Sequence, residues 1–167
     1  MSNDLNVTDY YFIMILVVNP RQFNKQNIMF SEKTKNNILT DGNFYRIYYS
    51  DTNFTSNGIY LTFELKNIKI EKYFNKIKCT FDKLSNRNII EFIKDLESNI
   101  LKASVLYKSK KSSHRIEEQL SQCFIKIFSE KNVIPGNIDT IKIMLKISGI
   151  WSDNASFGTT FRFFFDD

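Results

Sequence analysis

Gly58-Ile59-Tyr60-Leu61-Thr62-Phe63-Glu64-Leu65-Lys66 is the stretch that decides the fold. Ile59, Leu61, Phe63 and Leu65 fall on one face and Tyr60, Thr62, Glu64 and Lys66 on the other, the period of two that marks a half-buried β-strand. Asn67 breaks the run. Ile68-Lys69-Ile70 and Ile77-Lys78-Cys79-Thr80-Phe81 then resume the pattern with lysine on the polar face. Further along, Ile141, Ile143, Leu145 and Ile147 alternate with Lys142, Met144, Lys146 and Ser148, and Thr159 to Phe165 reads as a last strand.

Working outward, Cys123 to Phe128 is another strand, and Pro135-Gly136-Asn137 predicts a turn before the strand that follows. Upstream, Tyr10 to Val18 reads as a buried strand ended by Asn19-Pro20, and Ile28-Met29-Phe30 is a short apolar piece. Asn37-Ile38-Leu39, the turn Thr40-Asp41-Gly42-Asn43 and Phe44 to Ser50 predict a hairpin, because Asp-Gly tolerates the positive φ of such turns. The period changes only once. Ile89, Ile93, Leu96 and Ile100 recur at helical spacing behind Ser85 or Asn86 as a cap, predicting a helix over about 86–103. Lys108 to Arg115 carries no apolar anchor and reads as an exposed loop, while 116–122 is open between a helical turn and a strand lead-in.

Strands interrupted by one helix are not the alternation of a parallel doubly wound sheet. The expected fold is mainly β: a single domain over 1–167, an OB-like Greek-key barrel with one α-helix inserted between strands. A β-sandwich and an open α+β sheet with one packed helix are the alternatives. A chain of 167 residues with 43% hydrophobic and 15% aromatic residues buries a substantial core, which excludes wholesale disorder. The nine-residue apolar run from Tyr10 to Val18 is far short of the roughly 20 residues of a membrane span. Asp4 and Asp9 precede it, unlike the basic start of a signal peptide. An intracellular, cytoplasmic protein with no membrane partner is expected.

Enzyme signals are sparse. Two cysteines, Cys79 and Cys123, make neither a disulfide framework nor a zinc knuckle and read as core or half-buried strand positions. The one histidine, His114, has no obvious orienting carboxylate and reads as a solvated loop residue. Glycine-rich phosphate loops are absent. Glu64, Glu71 and Asp82 read as solvent-facing strand charges rather than a metal site. The expectation is a non-enzyme with no cofactor and no metal.

Charge is more informative by position than in total. The chain is rich in Lys, Asn, Ile, Phe and Tyr, the residues of A/T-rich codons, so a net charge of +5 alone says little. Between Lys66 and Arg87, however, seven cations face two acids, a local surplus equal to that of the whole chain. Lys108, Lys110, Lys111 and Arg115 add four more with no acid among them, whereas Asp4, Asp9, Asp153, Asp166 and Asp167 make the ends acidic. Tyrosines interleave with the basic segments, and single-stranded nucleic acid is held by such a mixture of stacking rings and phosphate-tracking cations. The candidate binding residues are Tyr45, Arg46, Tyr48, Tyr60, Lys66, Lys69, Tyr73, Lys76, Lys78, Lys108, Lys110, Lys111, Arg115, Lys142 and Lys146. Phe63, Phe81, Phe124 and Phe128 are assigned to the core, and Trp151 to a packed corner.

Leu145-Lys146-Ile147-Ser148-Gly149-Ile150-Trp151, a short polar loop, and Phe157-Gly158-Thr159-Thr160-Phe161-Arg162-Phe163 resemble the closing hairpin of viral replicative single-stranded DNA-binding proteins. These form the OB-fold group of podovirus-type phages, large nucleocytoplasmic DNA viruses and cytoplasmic linear plasmids of yeasts. Gln119-Leu120 and Phe124-Ile125-Lys126-Ile127 resemble the strand before that hairpin, so the likeness spans about 116–165. It implies binding and protection of single-stranded DNA during replication, at a virus or plasmid replication site. It also implies an acidic C-terminal tail that contacts replication proteins; here only Asp166 and Asp167 follow the apolar strand. RNA stays open beside DNA as the ligand, and so does self-association. The alternatives are a virion or nucleoprotein component assembling through aromatic-rich surfaces and, ranked last, a metal-dependent nuclease.

Overall fold

The computed structural model describes residues 17–36, 38, 41–128 and 133–166. The first half supplies β1 (Ile28–Phe30), β2 (Thr34–Lys35), β3 (Asn43–Ser50), β4 (Thr55–Ser56), β5 (Ile59–Tyr73) and β6 (Lys76–Phe81). Then come α1 (Arg87–Ala103), β7 (Lys111–Ser113), α2 (Arg115–Ser121), β8 (Phe124–Phe128), β9 (Gly136–Ser152) and β10 (Ser156–Phe165). The fold is mainly β, with one mixed ten-stranded sheet.

Five pairings return to their starting point. β5 pairs antiparallel with β6, β6 with β8, β10 with β9 and β9 with β5, while β8 and β10 meet in parallel through Phe163 and Ile127. The circuit therefore runs β5–β6–β8–β10–β9–β5. β3 extends it by pairing with the end of β9, and carries β1, β2 and β4.

Alternation explains the strands. Ile59, Leu61, Phe63 and Leu65 are buried, as are Ile143, Leu145 and Ile147 opposite them; burying each such side chain stabilises the fold by about 1.5–3 kcal/mol. Asn67 does not end its strand. It takes φ +54°, a conformation asparagine tolerates, and the buried positions shift from odd to even, so that Ile68 and Ile70 face the core. The Asn86 side chain secures this flip: its Oδ1 accepts from the Lys66 amide (2.8 Å) and its Nδ2 donates to the Lys66 carbonyl (2.9 Å). Asn86 thus sits at the N-cap position of α1 but spends its side chain on β5 and on the Asp82 carbonyl rather than on a helical N–H.

Several expectations change. The hairpin before β3 uses Thr34–Lys35, not residues around Ile38, which is 92% exposed in the connecting loop; Asn37, Leu39 and Thr40 lie outside the described residues, as does the first expected strand up to residue 16. Val18 makes a parallel bridge to Leu61. Gly136 and Asn137 pair with Ile70 and Lys69 in β9 rather than forming a turn. The expected exposed loop from Lys108 to Arg115 contains β7, parallel to β10, and the first residue of a second helix. That helix buries Ile116 and Leu120, so among the described residues two α-helices, not one, interrupt the strands.

Glu97 ties these elements together. It sits among the apolar residues of α1 with no exposed surface. Its carboxylate accepts from the backbone amides of Ile116 (3.3 Å) and Glu117 (2.8 Å) and from the Thr159 hydroxyl (2.7 Å). One side chain of α1 thereby caps α2 and anchors β10. Burial pushes its carboxyl above the usual range, against the lowering effect of those three donors.

Candidate nucleic-acid interface

Antiparallel register sets the outer face of β6 and β8. Lys76 stands opposite Phe128, Lys78 opposite Lys126 and Thr80 opposite Phe124. On the other side of β6, Tyr73, Glu71 and Lys69 stand opposite Lys76, Lys78 and Thr80. The lysines lie over rings: Lys76 Nζ is 5.6 Å from the Phe128 centroid, and Lys78 and Lys126 are 5.2 and 5.4 Å from Phe124. Phe128 is 51% exposed and Phe124 half-buried, so neither is the core residue expected; Ile125 and Ile127 face inward instead. Phe63 and Phe81 are core.

The cationic row continues past β8. Arg162 and Lys126 directly precede the paired Phe163 and Ile127 of the parallel strands, and Arg162 is the register partner of Lys146, itself opposite Tyr60. Lys146 Nζ lies 5.1 Å from the Tyr60 centroid. Lys78, Lys126, Arg162 and Lys146 therefore form a belt across four successive strands.

Where β8 and β10 diverge, a groove of about 550 Å³ opens between them and α2. Arg115, Gln119, Lys126 and Arg162 bring polar and positive groups to it, and Trp151, Phe128 and Phe161 line it with rings. Trp151 is half-buried, with the Arg115 guanidinium 5.3 Å from its centroid. The indole lies close over Gly158, where a Cβ would come within 3.0 Å of it. Trp151 is thus a wall of the groove as well as a packed corner. The turn below it is braced by Asp153, whose side chain accepts the amides of Ala155 and Ser156, an arrangement that holds its carboxyl below the ordinary range. Lys110 donates to the Asp153 carbonyl.

The expected binding residues divide. Tyr73, Lys76 and Lys78 share the face of β5 and β6, Tyr60 and Lys146 continue the belt, and Arg115 reaches the groove. Lys69 is held 2.9 Å from Glu71 at the margin of this face, which raises the lysine pKa and lowers that of the carboxyl. Tyr45, Arg46 and Tyr48 belong elsewhere: Tyr45 packs against the core, the Arg46 guanidinium donates to Asn57 (3.0 Å), and Tyr48 pairs with Met29. Lys66 is exposed beside Asn86, while Lys142 stands opposite Glu64 with its carbonyl accepting the Asp166 amide. Lys108 and Lys111 are exposed around β7.

Phe124, Lys126, Phe128, Arg162, Gln119 and Trp151 join the candidate surface without having been singled out by the basic-segment reading. For the strand residues the signal is period two: Lys126 shares parity with Phe124 and Phe128, and Arg162 with Phe164. His114 also differs from a solvated loop residue. Its Nε2 is 3.2 Å from Ser112 Oγ and its Nδ1 3.5 Å from Glu117 Oε2, with Lys94 3.4 Å from the same carboxylate. Helix α2 offers this cluster no oxyanion donor from Ile116 or Glu117, because Glu97 takes both amides.

Of the two terminal acids, Asp166 is tied to the sheet, and Asp167 lies outside the described residues. The Asp166 amide donates to the Lys142 carbonyl and its carboxylate accepts from the Thr62 hydroxyl. Among the described residues no group of three or more His, Cys, Asp or Glu could hold a metal ion, and no helix is long and apolar enough to cross a membrane. Neither protein-family models, curated proteins nor solved structures give a match to this chain.

Proposed function

We propose that the chain is an OB-like barrel that binds single-stranded nucleic acid, with DNA as the expected ligand, and protects it during replication. The pairing circuit supports the fold reading. Numbering β5, β6, β8, β9 and β10 in order, neighbours run first–second–third–fifth–fourth–first, the closure of a five-stranded Greek key. Barrels of this type bind oligonucleotides on the second and third strands and the loops joining first to second and fourth to fifth. Here those are β6, β8, the turn at Phe74 and Asn75, and the turn at Asp153 to Ala155.

One observation carries the reading: Lys78 pairs with Lys126 and Arg162 with Lys146, and the two cationic pairs adjoin where β8 meets β10, flanked by Phe124, Phe128 and Trp151. Cations neutralise phosphates irrespective of sequence, and rings stack on any base. The carboxylates near the belt, Glu71 and Asp153, are engaged with Lys69 and with backbone amides.

Titration of Trp151 fluorescence with oligo-dT, oligo-U and duplex DNA at low and high salt tests the proposal. Oligo-dT is expected to bind with strong salt dependence and duplex much more weakly. Lys126→Ala and Arg162→Ala should each weaken binding similarly across sequences and reduce the salt slope by about one. Equal affinity for duplex and single strands, or a salt slope unmoved by both substitutions, would sink it.

A further inference from the structure

The β5–β6 hairpin turns through Phe74 and Asn75, between the register partners Tyr73 and Lys76. Tight two-residue turns call for positive φ, which glycine and asparagine adopt most readily. Phe74 takes φ +54°, where a Cβ crowds the backbone. Its ring is 99% exposed, so no packing inside the molecule offsets that penalty. The ring is open to a contact outside the fold.

Its neighbours indicate the partner. Tyr73 is 54% exposed, and its register partner Lys76 lies over Phe128, which lines the groove. The way from groove to tip is aromatic and cationic, which suits a base flanked by phosphates rather than an apolar protein surface. The belt itself has no means of rejecting a duplex, whose charge density is higher than that of a single strand. Discrimination of that kind needs an obstacle to the wrong ligand, and Phe74 projects from the turn next to the Tyr73–Lys76 pair, whose lysine lies over Phe128.

Resting on the single-strand reading above, we infer that this tip is a wedge at the junction of single- and double-stranded nucleic acid. A strand seated in the groove emerges past Phe128; Phe74 stacks on the last intact base pair and stops the complementary strand from following.

A stem–loop DNA with a single-stranded tail, carrying a fluorophore and quencher at the stem base, tests this with the full chain. Phe74→Asn is the variant, because asparagine tolerates positive φ and the exposed ring supports no packing; its thermal midpoint should equal or exceed that of the wild type. The wild type is expected to open the stem. Beyond any loss of oligo-dT affinity measured in parallel, the variant should need about tenfold more protein for the same opening, the loss expected for one stacked base. Equal opening by both proteins overturns the wedge, as does a wild type that binds oligo-dT without opening the stem; the single-strand reading survives both results. A wild type that does not bind oligo-dT overturns both readings. Self-association lost in Phe74→Asn with opening unchanged assigns the ring to a second copy of the chain and overturns the wedge.

Discussion

Replacing Glu97 by alanine removes the acceptor from two backbone amides and one hydroxyl at the junction of α1, α2 and β10. Each buried donor left without a partner costs about 1–3 kcal/mol. The Thr159 hydroxyl can rotate toward another acceptor, and the 3.3 Å contact to Ile116 is long, so the well-formed bond to Glu117 dominates. The deleted methylene adds about 0.8 kcal/mol. Against this, the variant escapes the cost of burying a charge. The expected net loss is about 2–4 kcal/mol, a fall of roughly 4–16 °C in thermal midpoint for a chain of this size. Urea unfolding at neutral pH, with an unchanged denaturant slope, would measure it. Glu97→Gln separates shape from charge. Because burial raises the Glu97 pKa above its unfolded value near 4.5, the stability linked to its protonation is full below that value and is lost as pH rises through the folded one. A glutamine amide resembles the protonated acid and does not titrate. Relative to wild type, the glutamine variant should therefore gain stability as pH rises from about 4.5. A loss under about 1 kcal/mol for alanine, or parallel pH profiles for wild type and the glutamine variant, would refute the account.

Two further outcomes follow from close packing and from burial. Gly149→Ala would place a Cβ 2.4 Å from the Phe44 ring and from the Tyr45 carbonyl, so β3 and β9 must separate; a loss of about 3 kcal/mol or more in urea unfolding is expected, and a loss below about 1 kcal/mol would show that the strands yield freely. The Cys79 thiol is buried in β6 and pushed up to about 12. It should resist alkylation at about pH 8 in the native state while half-buried Cys123 reacts first; mass spectrometry of the labelled peptides decides the order.

Strand alternation made most of the circuit legible, because in-and-out parity is a local property that a sheet with one buried face cannot violate. Parity misled at Asn67, where one positive φ exchanges the faces without ending the strand. It was overlooked at Phe124 and Phe128, where aromatic identity outweighed the plain fact that they share a face with Lys126. Helix α2 had its signal in Ile116 and Leu120, four residues apart, but seven residues are too few to form a stable helix alone; the acceptor for its first amides comes from Glu97, far upstream. Strand β7 had no signal, since Lys111-Ser112-Ser113 is polar and exists as a strand only by pairing with β10. The groove was illegible for the same reason. Its walls come from residues 36 to 163, and a separation between two strands has no representation in either.

Closure of the five-strand circuit has a consequence for synthesis. Three of its five junctions require β9 or β10, so a nascent chain that has emerged only as far as β8 can join only β5, β6 and β8 of the circuit. Such a partial sheet leaves Leu61 and Leu65 on an open edge, their partners Leu145 and Ile141 still missing. Long-range pairings of this kind form slowly and expose adhesive strands meanwhile. The tendency to aggregate during translation is therefore highest just before β9 emerges, and falls when its seventeen residues pair with β3 and β5.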